Sequence, residues 1–125
     1  MKTLNIIIII VSDTRTTATD KSGKMLKKLI SKAGHNVIKK VIVPDDIYQI
    51  RHVVSMYIAE KKIDVIITSG GTGITGRDGT PEAVSILLDK KIEGFGEIFR
   101  ALSYEKIKSS SIQTRALAGV ANSKF

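Results

Sequence analysis

Apolar, strand-like runs alternate along the chain with segments of helical periodicity, and this order predicts the architecture. Residues 4–11 are rich in β-branched residues and almost continuously apolar, which is typical of a strand buried on both faces of a parallel sheet, and residues 37–43 and 63–68 are expected to form the second and third strands. Helical patterns follow each run. Because this alternation implies right-handed crossovers, we predict one α/β domain over residues 1–125, with three α/β/α layers around a mostly parallel sheet.

Two helices are defined by their apolar stripes and by the polar residues before them. The first stripe comprises Met25, Leu26, Leu29, Ile30 and Ala33. Asp20 or Ser22 is expected to cap this helix, and Gly34 is expected to end it. The second helix is expected to begin after Asp45 or Asp46. Its apolar positions are Ile47, Ile50, Val53, Val54, Tyr57 and Ile58.

The triplet at residues 80–82 (TPE) carries the start signals of a third helix. Its threonine is expected to be the N-cap, its proline suits the first turn, and its acid favours the positive end of the helix dipole. The buried stripe of this helix is expected to continue to Ile92. We expect residues 94–96, which include two glycines, to break it before a short helix at 97–102, and a weakly helical tail to follow residues 109–111.

Composition narrows the class of protein. Hydrophobic residues at 42% and charged residues at 26% are values of an ordinary globular domain, and the longest apolar run, residues 6–11, is too short for a membrane span. The absence of cysteine excludes disulfides and thiol nucleophiles, and two separated histidines offer little for a His-rich metal site. The start of the chain lacks a secretory pattern, so we expect a cytoplasmic protein.

The net charge of +8 raises the question of a nucleic-acid or polyphosphate ligand. Fifteen of the twenty basic residues are lysines, several in adjacent pairs, which is typical of a solvated surface. Only five arginines can make bidentate contacts to phosphate or guanine, and an aromatic content of 5% offers few surfaces for base stacking. A basic nucleic-acid module is therefore the weakest of the alternatives.

Ligands of open α/β sheets bind beyond the carboxyl ends of the strands, and this rule selects three loops. They are residues 12–17, 44–46 and 69–80. Each loop carries an aspartate: Asp13, Asp45 or Asp46, and Asp78. Taken singly, an aspartate at a strand end is as often a turn former or a helix cap, because its carboxylate accepts local backbone N–H bonds.

The loop at residues 69–79, here called the glycine loop, is the strongest local signal. It holds five of the ten glycines, more than a tight turn requires. Glycine permits a positive φ and lets a ligand approach the backbone amides, which can form a concave anion site, so phosphate is the expected guest. The dinucleotide-like pattern at residues 71–76 follows the third strand, and no lysine followed by Ser or Thr closes a P-loop there, which disfavours NAD and ordinary ATPase chemistry. A flexible glycine-rich linker is disfavoured by the strand before the loop and the capped helix after it.

Several loops agree in order and spacing with one known family. The matching stretches are residues 68–73 (TSGGTG), 76–78 (GRD) and 80–83 (TPEA), with 11–15 (VSDTR), 34–35 (GH), 44–46 (PDD), 92–97 (IEGFGE) and 111–116 (SIQTRA). Together they span nearly the whole chain. This combination resembles the molybdopterin-binding domain of the molybdenum cofactor biosynthesis family, the molybdopterin adenylyltransferases, and is closer to the bacterial MoaB branch than to the MogA branch.

The resemblance implies an enzyme that uses Mg-ATP to adenylate the terminal phosphate of molybdopterin and releases pyrophosphate. Molybdopterin would then be the substrate, ATP the co-substrate and Mg²⁺ the metal. The family also implies a homotrimer or homohexamer that works with other molybdenum cofactor biosynthesis enzymes, without nucleic acid or membrane, and Phe95, Phe99 and Leu102 are expected in the core or at a subunit contact. The alternative is a non-catalytic molybdopterin-binding or scaffold protein of the same family.

Site residues carried over by motif fall into three groups. Asp45 and Asp78 are the expected catalytic residues, as metal holders or as orienters of the attacking phosphate. The expected phosphate or nucleotide pocket is formed by Ser12, Asp13, Ser69, Gly70, Gly71, Thr72 and Gly73. Thr114 and Arg115 are expected to meet the pterin phosphate, Arg115 because a guanidinium matches phosphate in a bidentate manner.

The sequence departs from the family pattern in two places. Family members continue beyond residues 121–125 into another strand, a Pro-Gly-rich loop and a closing helix, so this domain would be C-terminally short. Because a lost strand would leave an unpaired sheet edge, we expect either a truncated or decayed gene product or a partner subunit that covers the edge, and we expect impaired adenylation. Gly79 stands where the family usually has an aliphatic residue, which is expected to loosen the loop before Thr80.

Overall fold

A parallel three-stranded sheet, in the order β2–β1–β3, lies at the centre of the fold. Its strands are β1 (Asn5–Val11), β2 (Asn36–Val43) and β3 (Val65–Ser69). The central strand β1 is buried along six of its seven residues, as its unbroken apolar run predicts. The computed structural model describes residues 2–14, 20–74, 77–109 and 115–125, and every structural statement below concerns these residues.

Helices cover both faces of this sheet, which confirms the three-layer α/β/α prediction. The helices are α1 (Lys21–Lys32), α2 (Ile47–Ile58), α3 (Thr80–Ser85) and α4 (Glu93–Ile107). On one face, odd-numbered β1 residues such as Ile7 pack with Ile50 and Val54 of α2 and Ala83 of α3. On the other face, even-numbered residues such as Ile8 pack with Ile30 of α1. The alternation of side chains along β1 thus feeds two cores.

The register of the strands brings three loops to the same edge. Val11 pairs with Val43 at the end of β2, and Ile10 pairs with Ser69 at the end of β3. Because the strands are parallel, the segments that follow all three leave the sheet together. This edge is where the sequence predicts the ligand.

The capping predictions for α1 and α2 are confirmed. Asp20 accepts a hydrogen bond of 2.8 Å from the Gly23 amide, and its buried carboxylate lies 3.0 Å from Nζ of Lys40. Asp46 accepts from the amides of Tyr48 and Gln49. Asp46 is therefore the cap of α2, and Asp45 is left for other contacts.

The apolar stripe of α1 is only partly buried. Ile30 and Leu26 contact the sheet core, but Met25 and Leu29 of the same stripe are 65% and 57% exposed. The reason is geometric, since no element in the described part of the chain covers that side of α1. Periodicity identifies the apolar side of a helix without indicating how much of it another element will cover.

The start of α3 at residues 80–82 is as predicted, but the other predictions for the chain after residue 79 are largely wrong. Gly79, not Thr80, is the N-cap of α3, and the Thr80 hydroxyl instead donates to the Gly70 carbonyl. α3 ends at Ser85. The chain then forms β4 (Lys90–Lys91), which pairs antiparallel with β5 (Gly119–Val120) where a weakly helical tail was expected. Two-residue strands are defined by their partner and leave no periodic signal.

The expected break at Gly94–Gly96 is also wrong, because α4 runs through both glycines. A Cβ on Gly96 would lie 2.6 Å from a guanidinium nitrogen of Arg100 and 3.0 Å from the Ala116 carbonyl oxygen. Gly96 therefore allows the helix to approach the segment at Ala116 closely. It is a packing glycine within a helix rather than a helix breaker.

An apolar surface surrounds α4 and the outer edge of β3. Phe95 and Phe99 stack on each other with ring centroids 5.9 Å apart, Ile98 and Leu102 are exposed, and an apolar groove of about 510 Å³ lies between the two rings and β3. At this edge the Ile66 amide donates to the Phe125 carbonyl. None of the helices in the described ranges is long and apolar enough to cross a membrane.

Candidate functional site

The three loops at the carboxyl edge are joined to one another by hydrogen bonds. Asp13, which follows β1, accepts a bond of 3.0 Å from the Asp45 amide after β2. Asp45 in turn accepts a bond of 3.1 Å through its side chain from the Gly79 amide at the end of the glycine loop. The structure therefore brings together Asp13, Asp45 and the glycine loop, which lie far apart in sequence.

Arg77 lies at the solvent-exposed opening of this cluster, here called its mouth, and joins Asp13 to Asp45 there. Its Nε donates to the Asp45 carbonyl at 2.8 Å, and its Nη2 lies 3.0 Å from Oδ1 of Asp13. The Arg77 and Asp13 side chains are 64% and 44% exposed, so solvent and salt screen the ion pair and its contribution to stability is at most about 1 kcal/mol. The pair can open at little cost when a ligand enters.

The glycine loop begins with two residues in the left-handed region, Gly70 at φ +100° and Gly71 at φ +69°. The turn is fastened to the start of α3, because Thr80 donates its amide to the Gly71 carbonyl at 3.0 Å and its hydroxyl to the Gly70 carbonyl at 2.9 Å. A Cβ on Gly70 would fall well inside contact distance of the Val11 carbonyl oxygen. Glycine is required there because the loop turns back against β1.

Three consecutive amides of this loop are available to a ligand. Those of Gly71, Thr72 and Gly73 donate to no other residue in the part of the chain that the structure describes. Backbone N–H groups in a folded protein are normally paired, and successive unpaired amides in a turn are a known way to bind an anion. This arrangement suits a phosphate.

The Asp78 carboxylate lies against Gly73, beside these amides. A Cβ on Gly73 would lie 2.7 Å from Oδ2 of Asp78, so the carboxylate occupies the space that the glycine leaves open. Of the predicted aspartates, Asp78 is therefore beside the amides, whereas Asp13 and Asp45 are at the mouth. Each is positioned by a different strand end.

Arg115 contacts the glycine loop more extensively than any pattern in the sequence suggested. Its amide donates to the Thr72 carbonyl at 3.0 Å, its Nε to the Gly73 carbonyl at 2.7 Å, and its Nη2 to the Asp78 carbonyl. Its Nη1 lies 2.6 Å from Oε2 of Glu82 on α3. Glu82 is a site residue that the sequence did not predict, because nothing local in the chain links it to Arg115.

The remaining predicted site residues lie at or near the ends of the strands, or outside the described residues. Ser12 follows β1 directly, donates its amide to the Val43 carbonyl at 2.9 Å, and accepts from the Thr14 amide at its hydroxyl. Ser69 is the last residue of β3. Thr114 lies outside the described residues.

A polar cavity of about 470 Å³ adjoins the Arg115 side of the loop. Its lining includes Glu82, Ser85, Lys91, Arg100 and Arg115. Three of these side chains are cationic and one is anionic, so the cavity favours an anionic ligand. The sequence did not predict it, because the residues come from four separate segments.

The carboxylates of the site fit Mg²⁺ only together with a bound ligand that supplies further oxygen atoms. Within the described ranges, no three His, Cys, Asp or Glu side chains come together as a metal-binding group. Mg²⁺ commonly uses one or two carboxylates, several waters and the oxygens of a bound phosphate. Asp45 or Asp78, the predicted metal holders, would supply the carboxylate for such an ion beside a nucleotide.

Sequence comparison finds the same relatives along almost the whole chain. The model of the family described as "Probable molybdopterin binding domain" matches residues 7–124. The chain is similar to Molybdenum cofactor biosynthesis protein B of Bacillus cereus, with 51% identity over 118 residues that cover 94% of this chain and 70% of that protein. The protein of the same name from Escherichia coli K12 is 47% identical over 117 residues, covering 94% of this chain and 69% of that protein.

Solved structures agree with this relationship. A crystal structure of Molybdenum cofactor biosynthesis protein B superposes with a TM-score of 0.94 at 48% identity, covering 98% of this chain and 77% of that one. The tungsten cofactor synthesizing protein MoaB from Pyrococcus furiosus superposes with a TM-score of 0.81 at 40% identity, covering 97% and 75%. Both are similar to this chain in fold and in sequence.

Proposed function

Since the chain belongs to the family of molybdopterin-binding domains and hence to molybdenum cofactor biosynthesis, we propose that it adenylates molybdopterin with Mg-ATP. The observation that carries the proposal is the set of three ligand-accessible amides at Gly71, Thr72 and Gly73, with the Asp78 carboxylate beside Gly73. An anion cradle next to carboxylates suits a phosphate and its metal ion together.

The proposed reaction is a nucleotidyl transfer. An oxygen of the terminal phosphate of molybdopterin attacks the α-phosphorus of ATP and forms a new P–O bond. The bond from the α-phosphorus to the oxygen that bridges to the β-phosphorus breaks, and pyrophosphate leaves with that electron pair. Such a transfer depends on positioning and charge neutralisation and requires no nucleophile from the protein.

The residues of the site take the following roles in this proposal. The amides at residues 71–73 hold a phosphate, and bound Mg²⁺ would neutralise charge on the ATP phosphates. Asp45 and Asp78 are the catalytic residues, as metal holders or orienters of the attacking phosphate, while Ser12, Asp13, Ser69 and Gly70 complete the pocket. Contact of Thr114 and Arg115 with the pterin phosphate is the prediction from the family resemblance, and for Arg115 the hydrogen bonds to the loop carbonyls favour a different role.

The experiment that tests the function is an incubation of the chain with molybdopterin, Mg²⁺ and ATP labelled in the α-phosphate. We expect release of pyrophosphate and transfer of the label to the pterin. Omission of Mg²⁺ or molybdopterin is the control and should abolish both. Binding of molybdopterin without pyrophosphate would contradict the proposal and favour the non-catalytic, scaffold alternative.

We also propose a homo-oligomer, a trimer or hexamer, that contacts its copies through α4. The exposed side chains of Phe95, Ile98, Phe99 and Leu102 support this, because exposed apolar patches of that kind commonly mark protein interfaces. A cytoplasmic location and cooperation with other enzymes of molybdenum cofactor biosynthesis stay predictions.

Replacing Leu102 by aspartate is expected to dissociate this oligomer. A buried, unpaired charge in an apolar contact weakens association by roughly 100-fold or more. The measurement is the molar mass by light scattering across a dilution series. Tyr48→Asp, on the exposed side of α2, is the control and should keep the mass of the unmodified chain. An unchanged mass for the Leu102 variant would exclude α4 as the interface.

A further inference from the structure

We propose that Arg115 is a positioning residue, which fixes the shape of the glycine loop through hydrogen bonds to the loop carbonyls. Its guanidinium does not bind the substrate phosphate. The kinetic consequences of this inference rest on the proposed function. Its structural consequence, that Arg115 keeps the backbone of the glycine loop ordered, does not rest on the proposed function.

The contacts of Arg115 span the second half of the glycine loop. The guanidinium donates to the carbonyl of Gly73 in the middle of the loop and to that of Asp78 near its end. Only four residues separate these two carbonyls in sequence. One planar side chain therefore sets the distance between the two ends of the segment, and with it the placement of the Asp78 carboxylate against Gly73.

The backbone of Arg115 adds a third point of attachment, because its amide donates to the Thr72 carbonyl at 3.0 Å. The peptide group that joins Thr72 to Gly73, and that supplies the Gly73 amide, is thus held through its own carbonyl. If Arg115 moved, the direction of the Gly73 amide would change as well.

Each of the three guanidinium nitrogens of Arg115 already donates a hydrogen bond within the protein. Nε, Nη1 and Nη2 each donate to an acceptor of the protein, at Gly73, Glu82 and Asp78 respectively. Two of those acceptors are part-buried backbone carbonyls, which would lose their partner if the guanidinium turned toward a phosphate. The planar fork of arginine suits this bridging role, whereas a lysine ammonium cannot span separated acceptors in the same way.

Glu82 makes the two roles of Arg115 distinguishable. As an ion-pair partner at 2.6 Å, Glu82 orients the guanidinium toward the loop. In a positioning role, removal of the Glu82 charge loosens the loop. In a phosphate-binding role, the same change removes a competitor for the guanidinium and strengthens phosphate binding.

The test compares Arg115→Lys and Glu82→Gln with the unmodified full chain by hydrogen–deuterium exchange without ligand. We expect peptides covering residues 70–79 to exchange roughly tenfold faster in Arg115→Lys and about threefold faster in Glu82→Gln, with peptides of α2 unchanged. Arg51→Lys is the matched control, because Arg51 donates to the Ala83 and Glu82 carbonyls of α3 and not to the loop. It should leave the exchange of residues 70–79 as in the unmodified chain.

The second readout is steady-state turnover. For a positioning residue, kcat in Arg115→Lys should fall by roughly tenfold or more while KM changes less than about threefold, and Glu82→Gln should shift kcat in the same direction. Native-like exchange of residues 70–79 in Arg115→Lys, or a Glu82→Gln variant that binds molybdopterin more tightly, would overturn the inference. Because exchange is measured without turnover, an inactive unmodified chain would contradict the proposed function and still leave this inference decided.

Discussion

Asp78→Asn is expected to abolish pyrophosphate release while the protein stays folded. The carboxylate lies against Gly73 beside the proposed phosphate amides, and the amide side chain of asparagine keeps its size but not its charge. Loss of a group that holds the metal or orients the attacking oxygen lowers kcat by about 10²–10⁴-fold. The contact with Arg115 stays, because it is made by the backbone carbonyl of residue 78.

The measurement for Asp78→Asn is the rate of pyrophosphate release at saturating ATP and molybdopterin. Asp89→Asn is the control of equal charge change, since Asp89 accepts from the Asn122 amide and lies outside the proposed site. Circular dichroism should be the same for both variants. A rate for Asp78→Asn within about threefold of the unmodified chain would remove Asp78 from the catalytic residues.

Gly70→Ala is expected to produce the largest loss of stability. Gly70 has φ +100°, where an L-residue is strained, and the new Cβ would overlap the Val11 carbonyl oxygen. That overlap is with backbone of the central strand, which no side-chain rotation can relieve. Strain and overpacking together should cost about 3 kcal/mol or more, which lowers the Tm of a chain of this size by about 10 °C.

Gly94→Ala is the matched control for this substitution. Gly94 lies in α4, and a Cβ there would have no described atom within 4 Å. Alanine has the higher helix propensity, so this variant should gain up to about 1 kcal/mol. Urea denaturation of both variants measures the difference. Equal losses for the two would show that the left-handed turn at Gly70 is not required.

Local signals were sufficient where a residue and its partner are close in sequence. Asp46 caps α2 through the amides of the next turn, and the triplet at residues 80–82 marks the start of α3 correctly to within one residue. Local signals failed where the conformation of a residue depends on a partner that is distant in sequence. Gly96 continues a helix because the Ala116 segment packs against it, and Thr80 turns its hydroxyl to Gly70 instead of capping α3.

The candidate site divides in the same way. The strand order and the rule of the carboxyl edge are enough to select Asp13, Asp45 and the glycine loop, because parallel strands deliver their following loops to one place. No pattern could indicate that Arg77 bridges Asp13 and Asp45, or that Arg115 reaches Gly73 and Asp78. Those bonds join residues more than thirty positions apart.

The sequence by itself determines the sheet, its layers and the loops that meet at one edge, because apolar periodicity involves residues that are close together in the chain. What only the tertiary structure decided is which arginines hold those loops, and which apolar side chains stay uncovered. A hydrogen bond or a contact between distant segments depends on where the whole backbone places them, and a linear pattern carries no record of that placement.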